Sequence, residues 1–265
     1  MLRLLREPRW LGYLALVVVF AVVCGMLGTW QWNRRAEALT AIDRLEANYD
    51  RGPAPVAEVL SEPEAFDPDQ QWTPVLLEGE YLVDEQLLLR GRWRSGQVGF
   101  DVVVPFRTVD GTVFVVDRGW IDQAPGAELP ATEPATPEGQ TTVVARLRPN
   151  EGTIPGRGAP EGQIASVDLP TIAAGLGAPT YTGAYGLLVS EGDAVPDDVA
   201  IATRPVLDAG PHLSYSLQWF VFALGGFAAL AWAMRDELRA GDAEPRPKRV
   251  RRTDADVEDD ILDRG

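Results

Sequence analysis

"HLSYSLQWFVFALGGFAALAWAM", His212 to Met234, runs for 23 residues without a charged side chain. At 1.5 Å per residue a helix of this length covers roughly 34 Å, more than the ~30 Å hydrocarbon core of a bilayer. A second uncharged run, "WLGYLALVVVFAVVCGMLGTWQWN" from Trp10 to Asn33, stands near the other end. Two transmembrane helices are therefore expected to bracket the chain. Arg3, Arg6 and Arg9 before the first run also suit a secretory signal, but its apolar core is too long and no small-x-small cleavage site follows. Val23 also precedes Cys24, where a lipoprotein signal needs Gly or Ala, so the run reads as an uncleaved anchor.

Charge at the helix ends sets the expected orientation. The first helix is ambiguous, with Arg3, Arg6 and Arg9 on one side and Arg34, Arg35 and Arg44 on the other. The second decides it: Arg235, Arg239, Arg246, Lys248, Arg249, Arg251 and Arg252 follow it, and Arg204 alone closely precedes it. The expected layout is a cytoplasmic N-terminus at 1–9, spans at 10–32 and 212–234, an extracytoplasmic domain at 33–211 and a cytoplasmic tail at 235–265. That tail, basic then acidic, carries the pattern of a disordered segment. No amphipathic Arg/Ser-rich transit peptide precedes the first helix, so the membrane expected is a bacterial plasma membrane.

The outer segment holds 13 arginines against 28 Asp and Glu, so the net charge of the whole chain, −15, resides there. Phosphate backbones need a basic footprint, which argues against a nucleic-acid partner. Cys24, the only cysteine, lies in the first helix, and His212 is the only histidine. No Ser/His/Asp set, thiol nucleophile, zinc site or soft copper cage can be assembled outside from that inventory. "GRGAPEG" lacks the strand-then-helix context and the lysine of a phosphate loop. Asp101 in "GFDVV" and Asp117 in "VFVVD" could do acid or base work, but a salt bridge or turn bond is the better reading of each.

Between the helices the pattern is β. "NRRAEALTAIDRLEANYD" keeps helical spacing at Ala36, Leu39, Ile42 and Leu45, which extends the first helix outward to about Asn48. A Pro/Gly-rich stretch then leaves room for one short helix near Val56 to Leu60. "WTPVLLEGEYL", "EQLLLRGRW", "GFDVVVPFRTV", "TVFVVDRGWI", "TTVVARLRP" and "AYGLLVSE" follow as short strands, with Asp110-Gly111 the surest hairpin turn. "SVDLPTIAAGLG" reads as a short helix capped by Asp168 and stopped near Gly177. Loops at 122–139 and 149–163 are too poor in hydrophobic residues to be core. The fold class is thus an α+β membrane protein, with a largely antiparallel sheet that curls into a partial barrel.

The outer ends of the two spans share one kind of chemistry. His212, Tyr215, Ser216 and Trp219 recur at i, i+3, i+4 and i+7, so they lie on one helical face. Trp30, Gln31 and Trp32 stand at a similar height on the first helix, about 31 to 35 Å from Arg9. Gln218 lies about one and a half turns into the second span, where an amide is costly unless it faces a neighbouring helix. Gly25-x-x-Gly28 and Gly225-Gly226 offer surfaces for close backbone approach. An aromatic belt anchoring both helices explains these residues. A heme-type macrocycle at the interface, with His212 as axial ligand, explains them as well.

"LGTWQWNRR" at Leu27 to Arg35 resembles the Gly-x-x-Gln-x-x-Arg signature of the Surfeit-locus cytochrome c oxidase assembly factors. "WTPVLLEGEY", "GFDVVVPF", "VDRGWI" and "HLSYSLQWF" follow in that family's order. The resemblance covers most of the chain, and it implies a non-enzymatic membrane factor that matures heme-copper oxidase at or near heme A delivery. The partners it implies are the oxidase catalytic subunit and heme A synthase, beside the lipid bilayer expected from the two apolar runs. Residue by residue, it makes His212 a heme contact and candidate iron ligand, with Tyr215 and Trp219 at aromatic positions and Gln31 and Arg34 at the signature Gln and Arg. Gly28, Gly79, Arg118 and Gly119 match further signature positions. For Arg34 and Arg118 a headgroup contact and a structural salt bridge stand beside a role in holding heme propionates or a client carboxylate. A cofactor-free chaperone that holds an oxidase subunit is the alternative function. The long Pro/Gly-rich loops and acidic tail depart from the family pattern.

Overall fold

The computed structural model describes residues 4–124, 129–130, 134–192 and 194–242. Contacts divide the chain into two units, one from Glu37 to Ala209 and one formed by the segments up to Ala36 and from Gly210 onward. The expected disorder of the tail concerns residues that lie, beyond 242, outside those described.

In the Glu37–Ala209 unit the six strands expected from alternation all form: β2 (Pro74–Tyr81), β3 (Leu87–Arg94), β4 (Gln97–Thr108), β5 (Val113–Asp122), β6 (Gln140–Pro149) and β8 (Ala184–Glu191). Two two-residue strands, β1 (Ala54–Pro55) and β7 (Gln163–Ile164), are too short to leave a period in sequence. β2 pairs antiparallel with both β6 and β4, β6 pairs with β8, and β4 pairs with β5. A parallel contact of β5 with β8, at Val116 with Gly186 and Asp117 with Leu187, completes a ring of five strands. The partial barrel expected from the strand spacing is therefore a closed ring with one parallel seam. β3 extends it outward from β4 and carries β7, while β1 lies along β2.

Ring closure explains a signature glycine. Gly79 faces Thr108 of β4, and a Cβ there would stand 2.0 Å from the Arg107 carbonyl oxygen, so no other residue lets these strands meet. Val75, Leu77, Val102, Val104, Phe106, Phe114, Val116 and Leu147 form one core cluster. On the opposite face of β4 and β5, Val103 and Val115 pack with Leu89 and with Leu169 and Ile172 of α3 (Leu169–Leu176). Burial on both faces is why "VFVV" is apolar throughout rather than alternating.

α3 starts and stops as expected, with Asp168 at the N-cap and Gly177 left-handed at the C-cap. The cap acts through a different bond, however: Asp168 accepts the Thr171 and Thr153 hydroxyls rather than a backbone N–H. The short α2 (Val56–Val59) also forms where space was left for it. At the Asp110-Gly111 hairpin, Asp110 Oδ1 accepts from the Thr112 N–H at 2.9 Å and from the Thr108 hydroxyl at 2.6 Å.

α1 runs without a break from Pro8 to Asn48, to the end point its apolar spacing implies. Its last turn belongs to the β unit: Leu45 and Tyr49 pack on Trp72, Asn48 Nδ2 donates to the Asp69 and Gln71 carbonyls, and Arg146 stacks on Tyr49 at 3.8 Å. In the other unit α1 lies antiparallel to α4 (His212–Asp242), and both are long and apolar enough to cross a membrane. Small residues set their approach. The Phe220 ring lies 3.0 Å from where a Gly28 Cβ would be, and Gly226 faces Val17 and Phe20. Arg9 and Glu237 form an ion pair near the far end, beside buried Trp10 and Met234.

Candidate functional site

Pro211 and the first turn of α4 set the direction of His212. The Tyr215 N–H and the Ser214 hydroxyl both donate to the Pro211 carbonyl, which closes that turn. On α1, Gln31 follows Gly28 by three residues and so lies on the same face, toward α4. Ser216 Oγ donates to the Gly28 carbonyl at 2.9 Å in a fully buried contact, which sets the spacing of the helices at this level. His212 Nδ1 then meets Gln31 Oε1 at 2.8 Å. A carboxamide oxygen can only accept, so Nδ1 is the donor of this pair and Nε2 lies outside it. Gly210, left-handed at φ 63, places no side chain beside Nε2, where a Cβ would stand in contact at 3.4 Å.

The structure thus brings two of the sequence-derived site residues into direct contact and arranges others around them. Tyr215 is half exposed and Trp219 partly buried, with its ring edge-on to Phe222 at 5.9 Å. Arg34 is exposed one helical turn along from Gln31. Trp30 and Trp32 are exposed on the same turn of α1. Gln218, expected from its depth to face the neighbouring helix, is instead exposed, and α1 gives it no hydrogen bond. The surface toward α1 is already taken at this level by Ser216 and Phe220.

Arg118 belongs to the other unit, where a β-bulge decides its direction. Val102 pairs with Gly119 and Val103 with Asp117, so Arg118 is the extra residue on β5. Asp117 Oδ1 accepts the Gly119 N–H at 3.0 Å, and Gly119 takes φ 135. The buried Arg118 guanidinium meets Glu191 through two bonds, at 2.6 and 2.9 Å, and donates further to Thr136 Oγ1 and the Ala135 carbonyl. The Tyr81 hydroxyl donates to the same Glu191 at 2.8 Å, and burial followed by the Glu191 charge pushes its pKa upward. Arg118 and Glu191 thus form a buried salt bridge. The 122–139 loop, though not core, supplies two of its acceptors, because a buried guanidinium needs more of them than Glu191 alone provides.

The two aspartates singled out as acid/base candidates lie together on the opposite face of β4 and β5. Asp101 pairs with Arg92 at 2.9 Å, and Arg92 bonds Glu151 at 2.7 Å. Burial raises the Asp101 pKa to about 6 against the pull of Arg92, and burial with the nearby Asp101 charge raises Asp117 well above the carboxylate range. The Tyr185 hydroxyl donates to Glu151 at 3.1 Å. Neither Arg92 nor Glu151 carries any sequence signal of this role, because 59 positions separate them.

Comparison with known proteins assigns the chain. The model of the SURF1 family matches residues 18–224. The chain belongs to the SURF1 family. A SURF1-like protein of Mycobacterium bovis is 32% identical over 244 residues, covering 90% of this chain and 88% of the relative. The yeast cytochrome oxidase assembly protein SHY1 is 28% identical over 115 residues, which are 42% of this chain and 28% of SHY1. A Rickettsia felis SURF1-like protein is 26% identical over 142 residues, 53% of this chain and 58% of that relative. The SURF1 match runs from within α1 into the first half of α4 and so includes both Gln31 and His212.

Proposed function

We propose that this SURF1-family chain is a membrane assembly factor for heme-copper cytochrome c oxidase, and that it holds heme A during delivery to the catalytic subunit. The observation that carries the heme reading is the bond from His212 Nδ1 to Gln31 Oε1. Ligating histidines characteristically give their second ring N–H to such an acceptor, which orients the ring and raises the basicity of the ligating nitrogen. His212 Nε2 would ligate the iron, and Tyr215 and Trp219 would pack on the macrocycle. Arg34 is the cation one turn from Gln31 suited to a propionate. The oxidase reading draws support from the resemblance to SHY1, a cytochrome oxidase assembly protein. Heme A synthase is the partner from which the group would come.

The same reading assigns α1 and α4 to the bacterial plasma membrane, with both termini cytoplasmic and Glu37–Ala209 outside, in keeping with Arg235 and Arg239 after the second span. The test is purification of wild type, His212→Ala and Gln31→Ala from cells making heme A. Wild type retains a heme spectrum, Gln31→Ala retains less per folded protein, and His212→Ala loses it. Equal spectra from wild type and His212→Ala would remove axial ligation by His212. Loss of the gene is expected to lower heme A absorbance and oxidase activity in membranes. Unchanged values would remove the assembly role itself.

One observation favours the cofactor-free chaperone as a second reading. Gln218 exposes an amide within the span, where a client helix could pair with it. In that case Gln218→Leu lowers oxidase assembly, whereas His212→Ala leaves it intact.

A further inference from the structure

A cavity of about 290 Å³ opens on the face of the β unit that carries Asp101 and Asp117, far along the chain from His212. Its lining includes three arginines, Arg92, Arg94 and Arg148, in a segment whose acids outnumber its arginines 28 to 13. Arg92 is spent on Asp101 and Glu151. Arg94 gives one nitrogen to the Ala200 and Ile201 carbonyls and forms no ion pair among the described residues, although its charge also acts on Asp101. Arg148 has no hydrogen bond or ion pair among the described residues, and its guanidinium lies 4.5 Å from the Trp72 ring centroid. Stacking fixes its plane while leaving its N–H edge to donate.

Opposite polarity comes from Asp117. It is 6% exposed, its Oδ1 accepts the Gly119 N–H, and its Oδ2 has no donor among the described residues although the side chain lines the cavity. Burial, and after it the nearby Asp101 charge, shift this carboxyl well above the ordinary carboxylate pKa, which favours the protonated form that offers an O–H donor. A planar guanidinium edge and a carboxylic O–H in one cavity lining are a donor set that a carboxylate accepts. The volume is at the small end of ligand cavities, suited to one small acid or one acidic side chain.

We propose that this cavity is a carboxylate-binding site, with Arg148 as the receiving cation and the Asp117 side chain in the same lining as its second polar contact. The carboxylate is carried either by a small organic acid or by an acidic side chain of a partner polypeptide. The site does not depend on the heme reading, because every residue in it lies within Glu37–Ala209.

The test titrates the full chain in detergent micelles with succinate and, separately, with the blocked peptide Gly-Gly-Glu-Gly-Gly, using sodium chloride of equal ionic strength as reference. Isothermal titration is expected to give saturable heat with at least one probe, and the tighter of the two identifies the source. Arg148→Met weakens Kd at least tenfold, and Arg148→Lys by less, since charge remains without the planar fork. Thr203→Glu at the lining leaves Arg148 on Trp72 and supplies a tethered carboxylate, so it abolishes binding even if Arg148→Met does not fold. No saturable heat beyond the chloride reference from either probe, or equal affinity in wild type and Thr203→Glu, would overturn the proposal.

Discussion

Replacing Arg118 by Met tests whether the bulge residue of the "VDRGW" segment is a structural tie. The guanidinium side chain is 1% exposed and the Glu191 carboxylate it meets is 7% exposed, so the substitution leaves a buried charge without its counterion. Breaking one partner out of such a pair costs about 3–5 kcal/mol, and Met replaces most of the lost volume, so little cavity cost is added. With a urea dependence of about 2 kcal/mol per molar, the unfolding midpoint is expected to fall by about 2 M. The assay is urea unfolding of the full chain in detergent, followed by tryptophan fluorescence. Adding Glu191→Leu and Tyr81→Phe removes the stranded groups together, and the triple variant should recover to within about 1–2 kcal/mol of wild type. Heme retained per folded molecule should not change in either variant. A loss under ~1 kcal/mol in Arg118→Met, or a triple variant worse than the single one, would refute the reasoning.

Three further outcomes follow from the geometry. Asp101 has its pKa raised from 3.8 to about 6 in the folded protein, so the native state binds more protons than the unfolded chain across that window. Stability should therefore fall as pH rises from about 4 through about 6, and Asp101→Asn should flatten that slope in urea midpoints taken at each pH. Gly79→Ala sets a Cβ 2.0 Å from the Arg107 carbonyl oxygen, and a cost of about 3 kcal/mol should appear as lower yield and an early unfolding transition by circular dichroism. Gln31→Leu removes the acceptor of His212 Nδ1 at nearly constant volume, so the heme band of the purified protein should weaken or shift while the helices still pair. An unchanged band in that variant would remove Gln31 from the site.

Much of the fold was legible because periodicity and charge are local quantities. The charge-free runs, the helical spacing to Asn48, the alternation of six strands and the Asp110-Gly111 turn each follow from residues in one continuous stretch of about two dozen positions or fewer. The parallel seam between β5 and β8 was not legible, because it joins strands separated by β6, β7 and α3 and rests on two residue pairs. Side-chain partners were likewise out of reach. Arg118 and Glu191 are 73 positions apart, and the loops that complete the Arg118 and Arg92 clusters look only like Pro/Gly-rich connections in one dimension.

His212 shows the division most plainly. Its position at the head of an apolar run, on one face with Tyr215 and Trp219 and level with Gln31, came from counting residues at 1.5 Å each. That Gln31 reaches Nδ1, and so leaves Nε2 outside the pair, depends on how closely two helices approach at Gly28 and Ser216. Periodicity assigns a residue to a face and a height, whereas which atoms meet across two helices is decided only when their surfaces pack.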